Sequence, residues 1–514
     1  MGGGSTELKG PDLKSGVRLG DVPDGGMLLG HLDGEAIVLT RHGDTVHAIG
    51  ATCTHYSGPL GEGLLDGHRL VCPWHHACFD VRTGEAIGGP ALNPVACYGV
   101  KREGELVTLT GKREPPPRAA PAKAPASVVI VGAGPAGGVA AEELRRQGYA
   151  GTITLLGEEP VGPVDRPNLS KDYLAGTAPE EWIPLRPNEY YAEHKIDLRV
   201  STKVTAIDVA KKTVTLEKGG TVAYDALVLA TGASPIRLEI PGAERLHYVR
   251  TLADSRAIIA AATGKKRAVV LGASFIGLEA AAALRTRGLE VDVVAPEALP
   301  LARILGDELG TFVKNLHEEK GVRFHLGKKP RAVDAEKVTL DDGSTIAADV
   351  VVAGLGVRPR TELAEKAGLT CDRGVVVSDR LETSAPGVYA IGDIARYPDP
   401  ISGELVRIEH WVVAQRMAQS VARAIVAVGR GEAYGDVPFF WSQHYDVAIA
   451  YVGHAEKWDR VRVIGNVAAK DCVVGFERAG KMLAVASIFR DGESLAAEAA
   501  FRRGDFAAVA KLFG

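Results

Sequence analysis

Val128-Val-Ile-Val131-Gly132-Ala-Gly134-Pro-Ala-Gly137 decides the fold of this chain. A short run of β-branched residues reads as a buried strand. The glycine-rich turn follows it at once and opens an Ala-rich helix over Gly138 to Gln147. Glu158 stands 21 residues beyond Gly137, at the end of the next strand-like run, Ile153 to Leu156. Strand, glycines, helix and acid in that order form the dinucleotide-binding fingerprint. The glycines let backbone approach a pyrophosphate at the helix N-terminus, and the carboxylate accepts from ribose hydroxyls. Gly132, Gly134, Gly137 and Glu158 are therefore cofactor-binding candidates. The same grammar returns about 140 residues later: a strand over Ala268 to Leu271, the turn Gly272-Ala-Ser274-Phe-Ile-Gly277-Leu-Glu279 and a helix over Gly277 to Arg287. Ser274 replaces the middle glycine, which sets the pyrophosphate slightly farther out. Glu297 falls 20 residues after Gly277, at the ribose position, while Ala295 fills the more usual acidic place. No arginine cluster follows to cradle a 2′-phosphate, so the second site favours NADH over NADPH, with Arg303 as the residue that could reverse this.

Around this duplicated unit the 514 residues divide further. Arg113 to Ala126 holds five prolines in 14 residues, a semi-rigid extended spacer. Before it, short strand-like runs (Ala36 to Thr40, Leu70 to Cys72, Leu106 to Thr110) alternate with Gly and Asp turns, so 1–112 is predicted as a small all-β domain. From about Asp436 strand-like runs over Val447 to Val452, Arg460 to Ile464, Cys472 to Phe476 and Met482 to Ile488 precede a final helix. The expected division is 1–112; the spacer 113–126; a first nucleotide domain, 127–245 with 366–430; a second, 246–365; and 431–514, an α+β segment of the dimerisation or interface type. Sixty basic against 64 acidic residues give a net charge of −4, which argues against a nucleic-acid-binding protein. No run of 18 uncharged apolar residues predicts a membrane span. The N-terminus has no apolar secretory region, and its formal myristoylation pattern, Gly2 with Thr6, is read as chance. Six cysteines are too few for a disulfide scaffold, so a reducing cytoplasm is the expected setting.

Cys53-Thr-His55 and Cys72-Pro-Trp-His75 form two Cys–His pairs. A zinc finger separates each ligand pair by two to four residues, and Cys53/His55 has one between them. The spacing on hairpin loops fits a Rieske [2Fe–2S] centre, with thiolates on one iron and imidazoles on the other. Residues 35–112, with Cys72-Pro-Trp-His-His-Ala-Cys-Phe-Asp80, resemble a Rieske ferredoxin. Cys53, His55, Cys72 and His75 are the metal-ligand candidates. Where respiratory-type relatives carry two further cysteines, this chain has Gly58 and Trp74. Where they place a Ser and a Tyr whose hydroxyls bond the sulfurs, it has Ala77 and Phe79, so the potential is expected at the low end of the Rieske range. Cys78 reads as a small buried hydrophobe.

Two nucleotide folds imply two cofactors, FAD in the first and NAD in the second. Ala230-Thr231-Gly232 ends a strand over Ala226 to Leu229, and Val388-Tyr-Ala-Ile-Gly392-Asp393 runs from a strand into Gly-Asp. With Asp165-Arg166-Pro-Asn-Leu-Ser-Lys171, Glu409-His410-Trp411 and Pro438-Phe-Phe-Trp-Ser-Gln-His-Tyr445, residues 127–514 resemble the FAD- and NAD-dependent ferredoxin reductases that serve ring-hydroxylating oxygenases. They are closer still to the apoptosis-inducing-factor-like proteins, some of which carry an N-terminal Rieske domain. The fold class implied is a multidomain chain: an all-β Rieske domain, then a glutathione-reductase-like α/β flavoprotein with an α+β C-terminal domain. By resemblance Lys171 and Glu279 lie by the flavin as an ion pair, Trp411 lies beside its ring, Arg166 near the FAD phosphates and Asp393 at the ribityl chain. Lys171, Glu279 and Trp411 are the catalytic candidates. Val204, Thr231, Gly232, Ile276, Gly354, Glu409 and His410 complete the cofactor-binding set. The Cys-x4-Cys of disulfide reductases is absent, since no cysteine falls between 98 and 370. No room remains for an oxygenase 2-His-1-carboxylate iron.

The expected activity is transfer of electrons from NADH through FAD to the Rieske cluster and on to an external one-electron acceptor, an oxygenase or another redox protein. The proline-rich tether would hold the cluster domain at high effective concentration. Two other readings stand beside it: an NADH:quinone or radical reductase of the diaphorase kind, and an NADH-responsive redox sensor.

Overall fold

The computed structural model describes residues 8–115, 118, 121, 123–427 and 431–514. The Gly2/Thr6 pattern and part of the spacer lie outside the described residues. The chain forms two compact units: residues 1–120 with Arg490–Leu512 and Gly514, and Pro121–Phe489 with Phe513.

The first unit is built on two antiparallel sheets. Six strands run in the order Val17–Arg18, Leu106–Arg113, Cys97–Glu103, Thr45–Gly50, Glu35–His42 and Met27–Leu32. Four shorter ones, Leu64–Asp66, Arg69–Val71, Cys78–Asp80 and Ala86–Gly88, form the second sheet. Alternating inward residues such as Ile37, Leu39 and Val107 fill one core; Val38, Ile49, Leu70 and Phe79 fill another beneath the metal-motif loops. The predicted strands are present, with Leu106 extended to Arg113. The start of the spacer folds back on this unit: Arg113 donates to the Arg82 carbonyl, and Arg118 pairs with Glu85 at 2.5 Å.

The helices Asp491–Arg502 and Phe506–Lys511, within the expected 431–514 segment, group by compactness with the first unit. The reason is side-chain chemistry that no local pattern shows. Leu495 packs with Val71 and Cys78, Arg502 and Arg503 pair with Asp66, and the buried Glu498 carboxylate pairs with His76 Nδ1.

The second unit shows the duplication directly. A parallel sheet ordered Ile196–Arg199, Thr152–Leu156, Ser127–Val131, Ala226–Leu229 and Val388–Ala390 matches a second, Val322–Leu326, Glu290–Ala295, Arg267–Leu271, Val350–Ala353 and His247–Tyr248. Each carries a three-stranded antiparallel appendage, Val204–Asp208 to Ala223 and Pro330–Val333 to Ala347. Their central strands are buried on both faces, as parallel sheets under helices require. A five-stranded antiparallel sheet follows, and its first strand, Phe439–His444, was not among the sequence-read strands.

Candidate functional site

The first glycine turn sits where the pattern put it. Gly132 has φ +114°, and a Cβ there would lie 2.1 Å from the Ala230 carbonyl. A Cβ on Gly137 would strike the Gly132 carbonyl, so these glycines let strand and helix close on each other. Gly134 caps the helix Pro135–Arg146 with no side-chain hydrogen bond, leaving its first amides for an anion. They open into a cavity of about 690 Å³ that gathers Gly132, Gly134, Glu158, Arg166, Val204, Thr231, Gly232 and Asp393.

Arg166 supplies the anion-binding chemistry of this cavity. Its guanidinium donates to the Arg250 carbonyl and to Glu159 (2.6 Å). Its buried Nε has no hydrogen-bond partner and faces the space above Gly134. An unsatisfied guanidinium N–H beside an uncapped helix N-terminus fits a pyrophosphate. Arg250 holds Asp393 at 2.7 Å, and Arg360 and Lys203 hold Glu158 at 2.9 and 3.7 Å. Arg250, Arg360 and Lys203 were not legible in the sequence because their partners are distant along the chain, and Glu159, seven residues from Arg166, because no local motif marks it.

The second turn is equally tight. Cβ atoms on Gly272 and Gly277 would fall 2.4 and 2.3 Å from the Gly354 and Gly272 carbonyls, and one on Gly354 would lie 2.6 Å from Gly277 Cα. Ser274 does not hold the turn open. Its hydroxyl accepts from Gly277 N–H at 3.1 Å, capping the helix Phe275–Thr286, and donates to the Gly354 carbonyl at 2.7 Å. Ile276 is exposed at the start of that helix. Glu297 is exposed in the loop after Glu290–Ala295, as is Arg303 nearby.

Lys171 and Glu279 meet at 2.8 Å, their side chains 15% and 2% exposed. Ser170 (2.6 Å) and Ser442 (2.7 Å) donate to the two oxygens of the same carboxylate. A buried carboxylate with this many donors is held in one orientation. The N-terminus of the helix Trp411–Val426 carries Glu409, His410 and Trp411. The His410 ring lies 4.2 Å from Phe440, which lies 5.1 Å from Phe275 at the head of the Glu279 helix. Burial pulls the His410 imidazole down to about 3, and its Nδ1 has no hydrogen-bond partner.

In the first unit Cys53 and Cys72 head two loops of matching geometry. Cys53 N–H bonds the Gly58 carbonyl (2.9 Å) and Ser57 N–H the Cys53 carbonyl (3.0 Å); Cys72 repeats this with Ala77 (2.8 Å) and His76 (3.2 Å). Ser57 and His76, each four residues past its cysteine, are left-handed at φ +60° and +56°. The loops aim backbone N–H groups of His55 and Tyr56 at the Cys53 sulfur, and of Trp74 and His75 at that of Cys72. The thiols are hydrogen-bonded to each other, which lowers Cys53 and raises Cys72. The His55 and His75 rings stand 5.0 Å apart, and burial draws His55 down to about 3, which favours its neutral form. Among the described residues no three Cys, His, Asp or Glu side chains converge on one ion position. A thiol pair and an imidazole pair are the division a two-iron cluster needs. A Cβ on Gly58 would lie 2.7 Å from Cys72 Sγ and 3.3 Å from the Trp74 ring, so this place is closed to a larger side chain. Ala77, Cys78 and Phe79 are buried.

The pyridine nucleotide-disulphide oxidoreductase family matches residues 126–418, the Rieske [2Fe–2S] domain 17–99 and the reductase C-terminal domain 439–513. Apoptosis-inducing factor 3 of Mus musculus is 31% identical over 494 residues, covering 92% of this chain and 81% of that protein. Putidaredoxin reductase of Pseudomonas putida is 37% identical, covering 71% and 89%. The crystal structure of the covalent putidaredoxin reductase–putidaredoxin complex superposes with TM-score 0.71 at 35% identity, covering 74% of this chain and 94% of that one. FAD, NAD(H) and a Rieske [2Fe–2S] cluster are the cofactors of such a chain. Among the described residues no helix is long and apolar enough to cross a membrane. The chain belongs to the pyridine nucleotide-disulphide oxidoreductase family, as a Rieske-fused ferredoxin reductase that moves electrons from a nicotinamide nucleotide through a flavin to an iron–sulfur centre and an external acceptor.

Proposed function

We propose that NADH is the donor, that the first glycine turn and Arg166 hold FAD, that the second turn with Glu297 holds the nicotinamide nucleotide, and that Cys53, His55, Cys72 and His75 hold the cluster. The observation that carries this reading is the buried Lys171–Glu279 pair between the two nucleotide folds. Bound FAD supplies hydride acceptance, and the cluster supplies one-electron transfer. The Lys171 ammonium, fixed by Glu279, places positive charge where a reduced flavin gathers negative charge. Ser170 and Ser442 hold the Glu279 carboxylate, and so hold the lysine. Arg166 and the helix Pro135–Arg146 neutralise the pyrophosphate. His410, 4.2 Å from Phe440, would together with the adjacent Trp411 keep water from the reacting end.

Glu297 supports NADH, because a carboxylate at the ribose position accepts from a 2′-hydroxyl and repels a 2′-phosphate. Tyr56 and Trp74, 39% and 41% exposed beside the ligand histidines, support delivery to a separate redox protein such as an oxygenase component. None of the six cysteines is joined in a disulfide, which supports a reducing, cytoplasmic setting. The test is an anaerobic NADH titration followed by flavin absorbance and by the electron paramagnetic resonance of the cluster, with Cys72→Ser alongside. The reading requires the cluster signal to grow in the parent protein, and flavin bleaching alone in the variant. A bleached flavin beside an oxidised cluster in the parent protein would overturn it.

A further inference from the structure

Behind Glu279 lies a chain of polar groups that the flavin reaction does not explain. Ser442 Oγ is 2.7 Å from Glu279 Oε1 and 3.2 Å from His444 Nε2. His444 Nδ1 is 3.1 Å from His317 Nε2, and His317 Nδ1 is 3.5 Å from the Tyr445 hydroxyl. Ser442, His444 and His317 are buried, whereas Tyr445 is half-buried beside Lys320, whose Nζ lies 5.7 Å from its ring. The line therefore begins at the Lys171–Glu279 pair and ends at the surface. Buried histidines in contact are costly, and an apolar pair would pack the same space at lower cost.

The redox stoichiometry supplies the need. NADH gives two electrons and becomes NAD⁺, and one-electron acceptors remove electrons only. Each turnover, NADH + 2 A → NAD⁺ + 2 A⁻ + H⁺, thus leaves one proton to be passed out past a carboxylate, Glu279, that is itself buried. We propose that Ser442, His444, His317 and Tyr445 form the relay through which this proton passes from Glu279 to solvent.

Each member has one proton and one lone pair facing its neighbours, so the chain can point either way. At rest the Glu279 carboxylate accepts from Ser442. His444 Nε2–H then donates to Ser442, His317 Nε2–H to His444 Nδ1, and the Tyr445 hydroxyl to His317. When Glu279 takes the proton the chain must first turn outward, with Glu279 O–H donating to Ser442, Ser442 O–H to His444 Nε2, His444 Nδ1–H to His317 Nε2 and His317 Nδ1–H to Tyr445; each outer O–H or N–H bond then breaks as a new one forms on the inner lone pair, Tyr445 gives its proton to water, and the resting setting returns. No group need become charged. Burial drives His317 well below its ordinary value and, with the Lys171 charge, His444 to about 3; it pushes Tyr445 up to about 12. All three are then neutral near pH 7. Ser442, His444, His317 and Tyr445 are positioning and relay residues, of which only Ser442 touches the Lys171–Glu279 pair.

The relay rests on the reading of Lys171–Glu279 as the reacting end, and the experiment separates the two. Anaerobic protein reduced with one equivalent of NADH is mixed with ferricyanide in weak buffer containing a pH indicator, in H₂O and D₂O. In the parent protein one proton per NADH appears in step with reoxidation. His444→Gln and His317→Gln keep a hydrogen-bonding side chain and cannot switch tautomers. Each should slow reoxidation and proton release together by roughly tenfold to a hundredfold, with a larger solvent isotope effect. Imidazole should restore the rate in His444→Gly, which a purely structural defect would not allow. A second readout needs no turnover: imidazole ¹⁵N shifts of the resting protein should show both histidines neutral and protonated at Nε2. Unchanged reoxidation and proton release in the glutamine variants, or a charged His444 at rest, overturns the relay. If Lys171→Met leaves flavin bleaching by NADH untouched, the reading of the reacting end fails instead.

Discussion

Replacing Lys171 by Met and Glu279 by Gln, singly and together, tests the reacting end quantitatively. At 2.8 Å, with an effective dielectric of about 20, the gross attraction is roughly 6 kcal/mol. Desolvation of two ions removes much of this, several kcal/mol for each group fully taken from water. Lys171 keeps 15% side-chain exposure, and Glu279 retains its bonds from Ser170 and Ser442 when the lysine is gone, so the net coupling should be about 2 kcal/mol. That is a factor of roughly 30 in rate. Stopped-flow bleaching of the flavin by NADH, on protein of verified FAD content, supplies four rate constants. Either single substitution should slow bleaching by roughly 30-fold or more, and the double variant should be scarcely slower than Lys171→Met. Rate losses that multiply, with a coupling energy under about 0.5 kcal/mol, would show that the pair does not act as one unit and would refute the assigned role.

Glu297→Gln removes the carboxylate proposed to repel a 2′-phosphate, so the ratio of kcat/KM for NADH to that for NADPH should fall about tenfold, measured with ferricyanide; an unchanged ratio places the ribose elsewhere. Glu498→Ala leaves the buried His76 without its carboxylate partner, a loss of about 3 kcal/mol for a broken buried pair. Thermal unfolding followed by loss of the cluster absorbance should therefore shift several degrees downward, and a midpoint within one degree of the parent would contradict the structural role of the helix Asp491–Arg502.

What the sequence made legible is what sits close together along the chain. The two glycine turns and the Cys53/His55 and Cys72/His75 pairs are local patterns, because a tight strand-to-helix turn and a metal loop each need their residues within a few positions. The short helices and the strand Phe439–His444 were harder: FFWSQH mixes aromatic and polar residues without a clean period of two. Least legible were partners joined only by the folded chain. Ser442 reaches Glu279 across 163 residues, Arg250 reaches Asp393 across 143, and His76 reaches Glu498 across 422. Such contacts are chosen by burial and charge at the end of folding, and nothing in the neighbouring sequence announces them. The C-terminal helix illustrates this, since its own residues show only an amphipathic segment, and Glu498 and Leu495 select the β-unit as its partner.

The two cluster loops also explain how this chain dispenses with hydroxyl donors to sulfur. Ser and Tyr hydroxyls depend on particular side chains, whereas the N–H groups of His55, Tyr56, Trp74 and His75 come from the turn itself. The left-handed Ser57 and His76 close both turns in the same way, so each cysteine receives the same two donors whatever occupies positions 77 and 79. In the proposed cluster site these backbone donors would carry the thiolate charge without help from hydroxyls. Further donors would favour the reduced cluster over the oxidised one, because reduction adds negative charge that each hydrogen bond stabilises. With Ala77 and Phe79 buried and donating nothing, that stabilisation is smaller, and the potential is expected near the lower end of a range that starts at about −150 mV. A low-potential centre gives up its electron readily, which is what an intermediate carrier bound for an external acceptor requires.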